Sequence, residues 1–375
     1  MKKVLVVLGT RPEAIKLAPV IHALQRAGDH FETKICDTGQ HQSLKQPILD
    51  FFQIEPHFKL DALGANASLG ALSAYFLTQM ESVMAAFQPD FVIVQGDTTS
   101  ALAGAWAAFY QQKRIIHVEA GLRTYDLAAP FPEEMNRQVI ARLANLHFAP
   151  TELAVQHLKK EGITEANIHL VGNTVVDALF FALAKIEASE PLAVAQLRTK
   201  LLDFSKKYAK MLLLTLHRRE NLQHHLPTIG AAIENVLRRS DCFAVFPVHL
   251  NPGVKTWAKQ LASELPNLLL IEPQPYEAFV WLMQQSDVIL TDSGGIQEEA
   301  PSLGKPVIVL RAQTERPEAR KRGFVRQVSV EQSAIETAAE QLLQVEQRPH
   351  SGENPFGDGR SAARIVKILK KISKT

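Results

Sequence analysis

The stretch that decides the fold is residues 4–26: VLVVL at Val4–Leu8, then Gly9-Thr10-Arg11-Pro12, then EAIKLAPVIHALQR at Glu13–Arg26. The first run is continuously apolar, as in a strand that is buried on both faces. Glycine allows the tight turn that follows, and Pro12 suits the first helical position. The stretch therefore predicts a strand, a turn and a helix, the repeating unit of doubly wound α/β domains.

The same alternation continues along the chain, with helix-like stretches such as Leu69–Phe87 and Thr98–Tyr110 after the apolar runs. Predicted strands of the first half are Val4–Leu8, Thr33–Asp37, Phe91–Gln95, Ile115–Val118 and Ile168–Val171. Those of the second half are Met211–Leu216, Phe243–Pro247, Leu268–Ile271, Val288–Thr291 and Val307–Leu310. Two successive series predict two doubly wound parallel-sheet domains.

A length of 375 residues is more than one hydrophobic core usually organises, which also favours two domains. We place the join near Gly172, so that the predicted domains are 1–171 with 359–375, and 172–358. Gln347–Gly359 is rich in proline and glycine and predicts a loop. Arg360–Ser373 predicts a helix that packs back on the first domain, with an apolar stripe formed by Ala363, Ile365, Val366, Leu369 and Ile372.

Composition excludes several classes of protein. The 41 basic and 39 acidic residues nearly balance, so charge gives no reason to expect a nucleic-acid or anionic-membrane partner. Cys36 and Cys242 lie in separate strand-like runs, which predicts buried free thiols. The first apolar run is too short for a signal peptide, and no segment approaches the ~18 apolar residues of a membrane span. We therefore expect a cytoplasmic protein.

Residues in the turns after the predicted strands Val4–Leu8, Val288–Thr291 and Val307–Leu310 indicate an anionic ligand. Arg11 and Lys16 lie near a helix start, where positive charge gains nothing from the helix dipole unless an anion binds there. In the second half, Ser293-Gly294-Gly295 opens a helix whose N–H groups are suited to a phosphate, and Glu299 lies one turn further on, within reach of ribose hydroxyls. Arg316 could neutralise a diphosphate. A solvated basic surface and an ordinary helix start are the alternatives.

Four further strand-end loops carry candidates for proton transfer: Asp97, Glu119, Glu133 and His217. Each also has a structural explanation. Asp97 is placed to cap a helix, and Glu119 to pair with Arg123. Glu133 is favoured at a helix start by the dipole, and a lone histidine is more often structural than catalytic.

The conjunction of these residues is more informative than any one of them. Three acids lie on strand-end loops of the first domain, while a histidine and anion-binding turns lie on those of the second, as expected for a nucleotide diphosphate sugar bound in a cleft between the domains. Closely spaced pairs of His or Cys ligands are lacking, and neither glycine turn has the full G-x-G-x-x-G pattern. We therefore expect no metal and no other cofactor.

Through these motifs the chain resembles a known family, the non-hydrolysing UDP-N-acetylglucosamine 2-epimerases, over nearly its whole length. The matching segments are Gly9–Lys16, Gly96–Thr99, His117–Arg123, Pro132–Glu134, His217–Glu220, Pro247–Pro252, Thr291–Gly304 and Thr314–Glu318. The resemblance implies a GT-B fold with the active site between two Rossmann-like domains, a homodimer, and no cofactor. It also implies interconversion of UDP-GlcNAc and UDP-ManNAc, through elimination and re-addition of UDP, for surface polysaccharide synthesis.

The resemblance also implies roles by position. Contacts to uridine, phosphate and ribose would come from Gln274, Phe279, Ser293, Gly294, Gly295, Glu299 and Arg316, joined by Arg11. The catalytic candidates would be Asp97, Glu119, Glu133 and His217, with Lys16 nearby; which carboxylate is the C2 base stays open.

The chain departs from the family pattern at Thr38–Ser43, at Leu216 and at Arg311-Ala312-Gln313. Some members use the first of these regions for a second, regulatory UDP-GlcNAc site, so allosteric activation is not carried over. Alternatives are a hydrolysing epimerase, a relative acting on a modified uronic acid or 6-deoxy sugar, a GT-B glycosyltransferase, and a non-catalytic nucleotide-sugar sensor. Three acids near an anionic ligand argue against the sensor, which would not need them.

Overall fold

In the computed structural model, which describes residues 1–40, 42–61, 63, 67–311, 317–321, 323–345 and 354–373, the chain forms two units. Unit 1 comprises Met1–Phe181 with Phe356–Thr375, and unit 2 comprises Ala182–Pro355. The domain limits predicted from the sequence, 1–171 with 359–375 and 172–358, stay a prediction.

Each unit is built on a parallel sheet. The described part of unit 1 has seven strands in the order β3-β2-β1-β4-β5-β6-β7, and that of unit 2 has six in the order β10-β9-β8-β11-β12-β13. The strands are β1 (Lys2–Leu8), β2 (Phe31–Asp37), β3 (Phe58–Lys59), β4 (Phe91–Gln95), β5 (Arg114–Val118), β6 (Leu146–Ala149), β7 (Ile168–Leu170), β8 (Lys210–Thr215), β9 (Cys242–Pro247), β10 (Leu268–Ile271), β11 (Val288–Thr291), β12 (Val307–Leu310) and β13 (Val325–Val328).

The described helices lie between successive strands, except for the last two, which follow β13. They are α1 (Arg11–Arg26), α2 (Gln42–Phe52), α3 (Leu69–Phe87), α4 (Thr99–Tyr110), α5 (Glu133–Leu143), α6 (Glu152–Lys160), α7 (Thr174–Ala188), α8 (Leu192–Lys207), α9 (Arg219–His224), α10 (Leu226–Arg239), α11 (Pro252–Ser263), α12 (Tyr276–Gln285), α13 (Gly294–Glu299), α14 (Pro317–Lys321), α15 (Gln332–Gln344) and α16 (Ser361–Ile372). None of these described helices is long and apolar enough to cross a membrane.

All ten predicted strands are confirmed, with ends that differ by at most two residues. Three strands were not predicted. β3 has only two residues, β6 contains a histidine, and β13 carries Arg326 and Gln327 in its centre, so none presents a continuous apolar run. The polar side chains of these strands weaken the pattern by which buried strands are recognised.

The strand order reverses once in each sheet. In unit 1 the reversal falls between β1 and β4, where Val4 pairs with Phe91. In unit 2 it falls between β8 and β11, where Leu212 pairs with Val288. Loops diverge at such a reversal and leave a crevice beyond the carboxyl ends of the strands, which is where ligands of open α/β sheets bind.

The C-terminal helix α16 belongs to unit 1 and packs against α1. Asp177 of α7 accepts hydrogen bonds from the backbone N–H groups of Ser361 and Ala362, at 3.1 and 2.9 Å, and so satisfies the first turn of α16. Burial raises the pKa of the Asp177 carboxyl.

The predicted apolar stripe of α16 needs one correction. Ile365, Val366 and Leu369 are buried as predicted, but Ala363 is exposed and Ala362 is buried in its place. The helix is rotated so that its first turn faces Asp177, which the apolar pattern alone does not reveal. Of the loop predicted at Gln347–Gly359, residues 347–353 lie outside the described residues, and 354–359 form neither helix nor strand.

Cys36 of β2 and Cys242 of β9 are both buried free thiols, as predicted. They lie in different units.

Candidate active site

Glu119 lies immediately after β5 and forms the centre of the unit 1 site. Its carboxylate is buried, and Nζ of Lys16 donates to both Oε1 and Oε2 at 2.7 Å. The amide of Gln95, the last residue of β4, also donates to Oε2. The backbone of Glu119 has φ +63°, a left-handed conformation that costs a non-glycine residue about 1–2 kcal/mol and is typical of functional positions.

The pairing of Glu119 with Arg123, the structural alternative, is wrong. Arg123 donates instead to both carboxylate oxygens of Glu161, at 2.6 and 2.8 Å. Lys16 reaches Glu119 from the second turn of α1, a contact between residues 103 positions apart that sequence proximity does not suggest. Lys16 is therefore a buried partner of an acid and not part of a solvated basic surface.

Asp97 lies in the turn after β4 and does not cap the helix that follows. The cap is Thr98, whose hydroxyl accepts from the N–H of Ala101 at 3.0 Å. The Asp97 carboxylate accepts from Nη2 of Arg137 at 2.5 Å, and its carbonyl accepts from Nδ2 of Asn136 at 2.8 Å. The turn is thus held from α5, with the carboxylate still about one-quarter exposed (24%).

His117 and Val118 of β5 hold the same turn from another side. The N–H of Gly96 donates to the carbonyl of Val118 at 3.0 Å, and Nε2 of His117 lies 2.8 Å from the carbonyl of Gly96. Burial lowers the pKa of His117 to about 3, so the ring is neutral, and Nε2 must carry the proton because a carbonyl only accepts. With φ +67°, Gly96 occupies a conformation that favours glycine.

Glu13 joins the turns that follow β1 and β4. Its buried carboxylate accepts from the N–H groups of Gly9 and Thr10, at 3.1 and 2.7 Å, and from the hydroxyl of Thr98 at 2.8 Å. Burial raises the pKa of Glu13 in spite of these bonds. Gly9 is required here because a Cβ would overlap the hydroxyl groups of Ser100 and Thr38.

Glu133 and Glu134 open α5 in different environments. Glu133 is half-buried at the first helical position. Glu134 is buried and accepts from the N–H groups of Thr124 and Tyr125, at 3.0 and 3.1 Å, and from the amide of Gln138 at 2.8 Å. Glu134 therefore fixes the preceding loop. Among the described contacts, Glu133 has no comparable structural role.

Unit 1 thus brings together the residues that follow β1, β4 and β5, which are neighbours at the strand reversal. Arg11 is half-buried at the start of α1, directly after β1. The predicted residues at this edge are Arg11, Lys16, Asp97, Glu119 and Glu133.

In unit 2, His217 follows β8 and pairs with Asp292, which follows β11. Nδ1 of His217 lies 3.0 Å from Oδ1 of Asp292, and 47% of the histidine side chain is exposed. Asp292 is fully buried and also accepts from the N–H groups of His217 and Arg218, at 3.1 and 3.0 Å, and from the amide of Asn221 at 3.1 Å. Burial alone would raise the pKa of Asp292, but the hydrogen bonds and adjacent His217 outweigh it and lower the pKa.

The turn after Asp292 contains the predicted phosphate-binding residues. Ser293 precedes α13 without using its hydroxyl as a cap, and Gly294 and Gly295 form the first two positions of the helix. Glu299, at the end of α13, is buried and accepts from the hydroxyl of Tyr276 at 3.0 Å.

The remaining predicted contacts follow β10. The amide of Gln274 donates to the carbonyl of Glu272 at 2.6 Å, and Phe279 is half-buried in α12. Arg316 lies outside the described residues.

Sequence reasoning missed Gln95, His117, Arg137 and Asp292 as functional residues, although all four lie in or beside the quoted motifs. These residues could have been found from the sequence, because each is a polar residue at the end of an apolar strand or in the first turns of a helix. Within the described part of the chain, no group of three or more His, Cys, Asp and Glu side chains is arranged to hold a metal ion.

The chain is similar to proteins of known family. The family described as UDP-N-acetylglucosamine 2-epimerase matches residues 22–370. Relatives named UDP-N-acetylglucosamine 2-epimerase include one from Salmonella typhimurium strain LT2, 44% identical over 372 residues, and one from Escherichia coli strain K12, 43% identical over 375 residues. In both cases the match covers 98% of each chain.

Solved structures are also similar. The UDP-GlcNAc 2-epimerase from Neisseria meningitidis bound to UDP-GlcNAc has a TM-score of 0.90 at 42% identity, covering 98% of this chain and 100% of that one. The enzyme from Methanocaldococcus jannaschii in complex with UDP-GlcNAc and UDP has a TM-score of 0.81 at 36% identity, covering 98% and 99%. The predicted fold class, doubly wound parallel-sheet units of the GT-B type, is confirmed. With a family match over most of its length and relatives above 40% identity, the chain belongs to the UDP-N-acetylglucosamine 2-epimerase family.

Proposed function

We propose that this protein interconverts UDP-GlcNAc and UDP-ManNAc without hydrolysing them. The names of its relatives support this substrate, as does the relative solved with UDP-GlcNAc bound. The observation that carries the chemistry is the buried Glu119 carboxylate, held by Lys16 and Gln95 beside the turn that carries Asp97.

Inverting C2 of UDP-GlcNAc requires removal of a proton that is barely acidic, because C2 is not next to a carbonyl. General base catalysis typically contributes about 10²–10⁴-fold, which is too little for direct removal of this proton. Loss of UDP from C1 develops positive charge on the sugar and so acidifies the C2 proton. The reaction therefore proceeds by anti elimination to 2-acetamidoglucal and UDP, followed by re-addition after protonation of the opposite face.

Stabilising the departing diphosphate is the larger contribution in this scheme. Unit 2 supplies the nucleotide contacts: His217 and the Ser293-Gly294-Gly295 turn hold the phosphates, and Glu299 binds the ribose. Gln274, Phe279 and Arg316 complete this set, and Arg11 of unit 1 adds a cation.

Proton transfer falls to Asp97, Glu119 and Glu133, with the C2 base unassigned among them. Lys16 favours the ionised form of Glu119, which can then stabilise positive charge on the sugar or accept a proton.

Incubation of the pure protein with UDP-GlcNAc in D₂O, followed by NMR, tests the proposal. A non-hydrolysing epimerase gives UDP-ManNAc with deuterium at C2, and the recovered UDP-GlcNAc also becomes labelled. Release of free ManNAc would indicate a hydrolysing enzyme. Unchanged UDP-GlcNAc would contradict the proposal and favour a glycosyltransferase, a sensor or an enzyme for a different sugar; a panel of C3- and C6-modified UDP-sugars separates the last case.

We further propose that the protein works in the cytoplasm as a homodimer and supplies ManNAc units for surface polysaccharides. The family resemblance supports these assignments. On α4, the exposed side chains of Trp106, Phe109 and Tyr110 offer an apolar face for a second copy. Light scattering after size-exclusion chromatography should give twice the chain mass; a monomeric mass at micromolar concentration would contradict the dimer.

A further inference from the structure

Every described hydrogen-bond partner of the Asp292 carboxylate is a donor or can be one. Oδ1 faces Nδ1 and the backbone N–H of His217, and Oδ2 faces the N–H of Arg218 and the amide of Asn221. A protonated carboxyl group could give its hydrogen only to Nδ1 of His217, whereas the ionised group accepts from every one of these partners; the same contacts lower the pKa of Asp292, so the carboxylate is ionised. An ionised Asp292 in turn requires a proton on Nδ1 of His217.

We propose that Asp292 is a positioning residue that fixes the tautomer and charge of His217. With Nδ1 occupied by its proton, Nε2 is the nitrogen left to meet a ligand. When Nε2 takes up a proton, the ring becomes an imidazolium whose charge the buried carboxylate stabilises. The inference rests on the proposed function, in which His217 meets the diphosphate of the substrate.

The imidazolium would stabilise the negative charge that develops on the departing diphosphate during the elimination. As the C1–O bond breaks, its electron pair moves onto the β-phosphate oxygen, and a charged N–H at Nε2 donates to that oxygen. A neutral ring with its proton on Nε2 would donate without charge, and charge-assisted hydrogen bonds are roughly twice as strong as neutral ones. Asp292 thereby determines whether His217 stabilises the departing group as a cation.

Asp292→Asn tests this role because asparagine keeps the size but can donate its amide hydrogen to Nδ1. The proton of the neutral ring is then expected on Nε2. Two-bond ¹H–¹⁵N spectra of the full chain labelled with ¹⁵N-histidine, recorded at alkaline pH, report which ring nitrogen carries the proton. The signals of His217 are identified by their absence from His217→Gln.

Asp287→Asn is a matched control. Asp287 immediately precedes β11 and accepts from the N–H of Met211 at 2.9 Å, whereas Asp292 immediately follows β11 and accepts from the N–H of His217. Both substitutions replace a carboxylate that accepts backbone N–H groups, Asp287 within β8 and Asp292 just beyond its end, but of the two only Asp292 contacts the histidine ring. Asp287→Asn is expected to keep His217 protonated on Nδ1 and to keep the turnover of wild type.

Asp292→Asn should move the ring proton to Nε2 and lower kcat for UDP-GlcNAc by about 10²-fold, with a much smaller change in UDP affinity. The proposal is overturned if Asp292→Asn retains the Nδ1 proton, or if Asp287→Asn loses as much turnover for the same loss of thermal stability. The tautomer measurement needs no substrate. Inactivity of the wild-type protein on UDP-GlcNAc would therefore refute the proposed function while a shifted tautomer still supported the positioning role.

Discussion

The ammonium group of Lys16 lies 2.7 Å from both carboxylate oxygens of Glu119, with both side chains buried. A buried ion pair of this kind contributes little net stability compared with apolar residues of similar volume, although breaking it is costly. We infer that the pair is kept for function, because it lies at the strand reversal and Glu119 has a left-handed backbone with φ +63°.

Replacing Glu119 by Gln removes the charge and proton-accepting capacity while keeping the shape of the side chain. We expect kcat for UDP-GlcNAc to fall by about 10²-fold or more, with UDP affinity unchanged because the nucleotide contacts that we propose come mainly from unit 2. Steady-state kinetics and calorimetric titration with UDP measure the two effects. Glu165→Gln, which alters an exposed ion pair with Lys159, is the control and should behave as wild type; unchanged turnover in Glu119→Gln would remove this residue from the mechanism.

Lys16→Met should destabilise the fold by roughly 3–5 kcal/mol, because it removes a cation that donates to both oxygens of the buried Glu119 carboxylate. The double variant Lys16→Met/Glu119→Gln should recover most of this stability, since no net charge is then buried, but should stay inactive. Chemical denaturation and turnover assays on the two single variants and the double variant complete the cycle. Recovery of activity together with stability would mean that the pair is structural.

The two acids that open α5 should respond in opposite ways. Glu134→Gln disturbs a buried carboxylate that accepts from Thr124, Tyr125 and Gln138, and should lower the free energy of unfolding by about 1–3 kcal/mol. Glu133→Gln should leave stability nearly unchanged and lower kcat. Equal losses of stability in both variants, or loss of turnover in Glu134→Gln alone, would argue against Glu133 as the functional acid.

His117 should make stability depend on pH. Burial lowers its folded-state pKa from 6.5 to about 3, so the unfolded chain takes up a proton first as the pH falls. The stability that comes from keeping the ring neutral is complete above pH 6.5 and is lost as the pH falls from 6.5 towards 3, by up to about 1.4 kcal/mol per pH unit. His117→Gln, which keeps a donor for the Gly96 carbonyl, should show a shallower decline in urea unfolding over this window; parallel curves would contradict the buried neutral ring.

The sequence predicted the fold well because its strands are continuous apolar runs separated by long amphipathic helices. It failed where a strand carries polar side chains, as in β13 with Arg326 and Gln327, or where a strand is very short, as in β3. The rotation of α16 about its axis could not be predicted either. The burial of Ala362 instead of Ala363 depends on a hydrogen bond to Asp177, which is 185 positions from Ala362 along the chain.

The candidate residues were identified from sequence, but their partners were not. Motifs locate Glu119 and Asp97 at strand ends, yet the contacts that define their chemistry come from Lys16 and Arg137, over separations of 103 and 40 residues. Sequence proximity predicted that Glu119 pairs with Arg123 and that Asp97 caps α4. In the folded chain Glu119 pairs with Lys16, and Thr98 is the cap. Partner choice within a strand-end cluster is decided by sheet order, which motif spacing does not encode.

We propose that UDP leaves C1 and returns during each epimerisation. UDP-GlcNAc with ¹⁸O in the oxygen between C1 and the β-phosphorus tests it most directly, since a freed β-phosphate can rotate before it re-adds. We expect ³¹P NMR to show ¹⁸O moving into non-bridging positions of the β-phosphate as UDP-ManNAc forms. Epimerisation with deuterium entering C2 while all ¹⁸O stays in the bridge would contradict it.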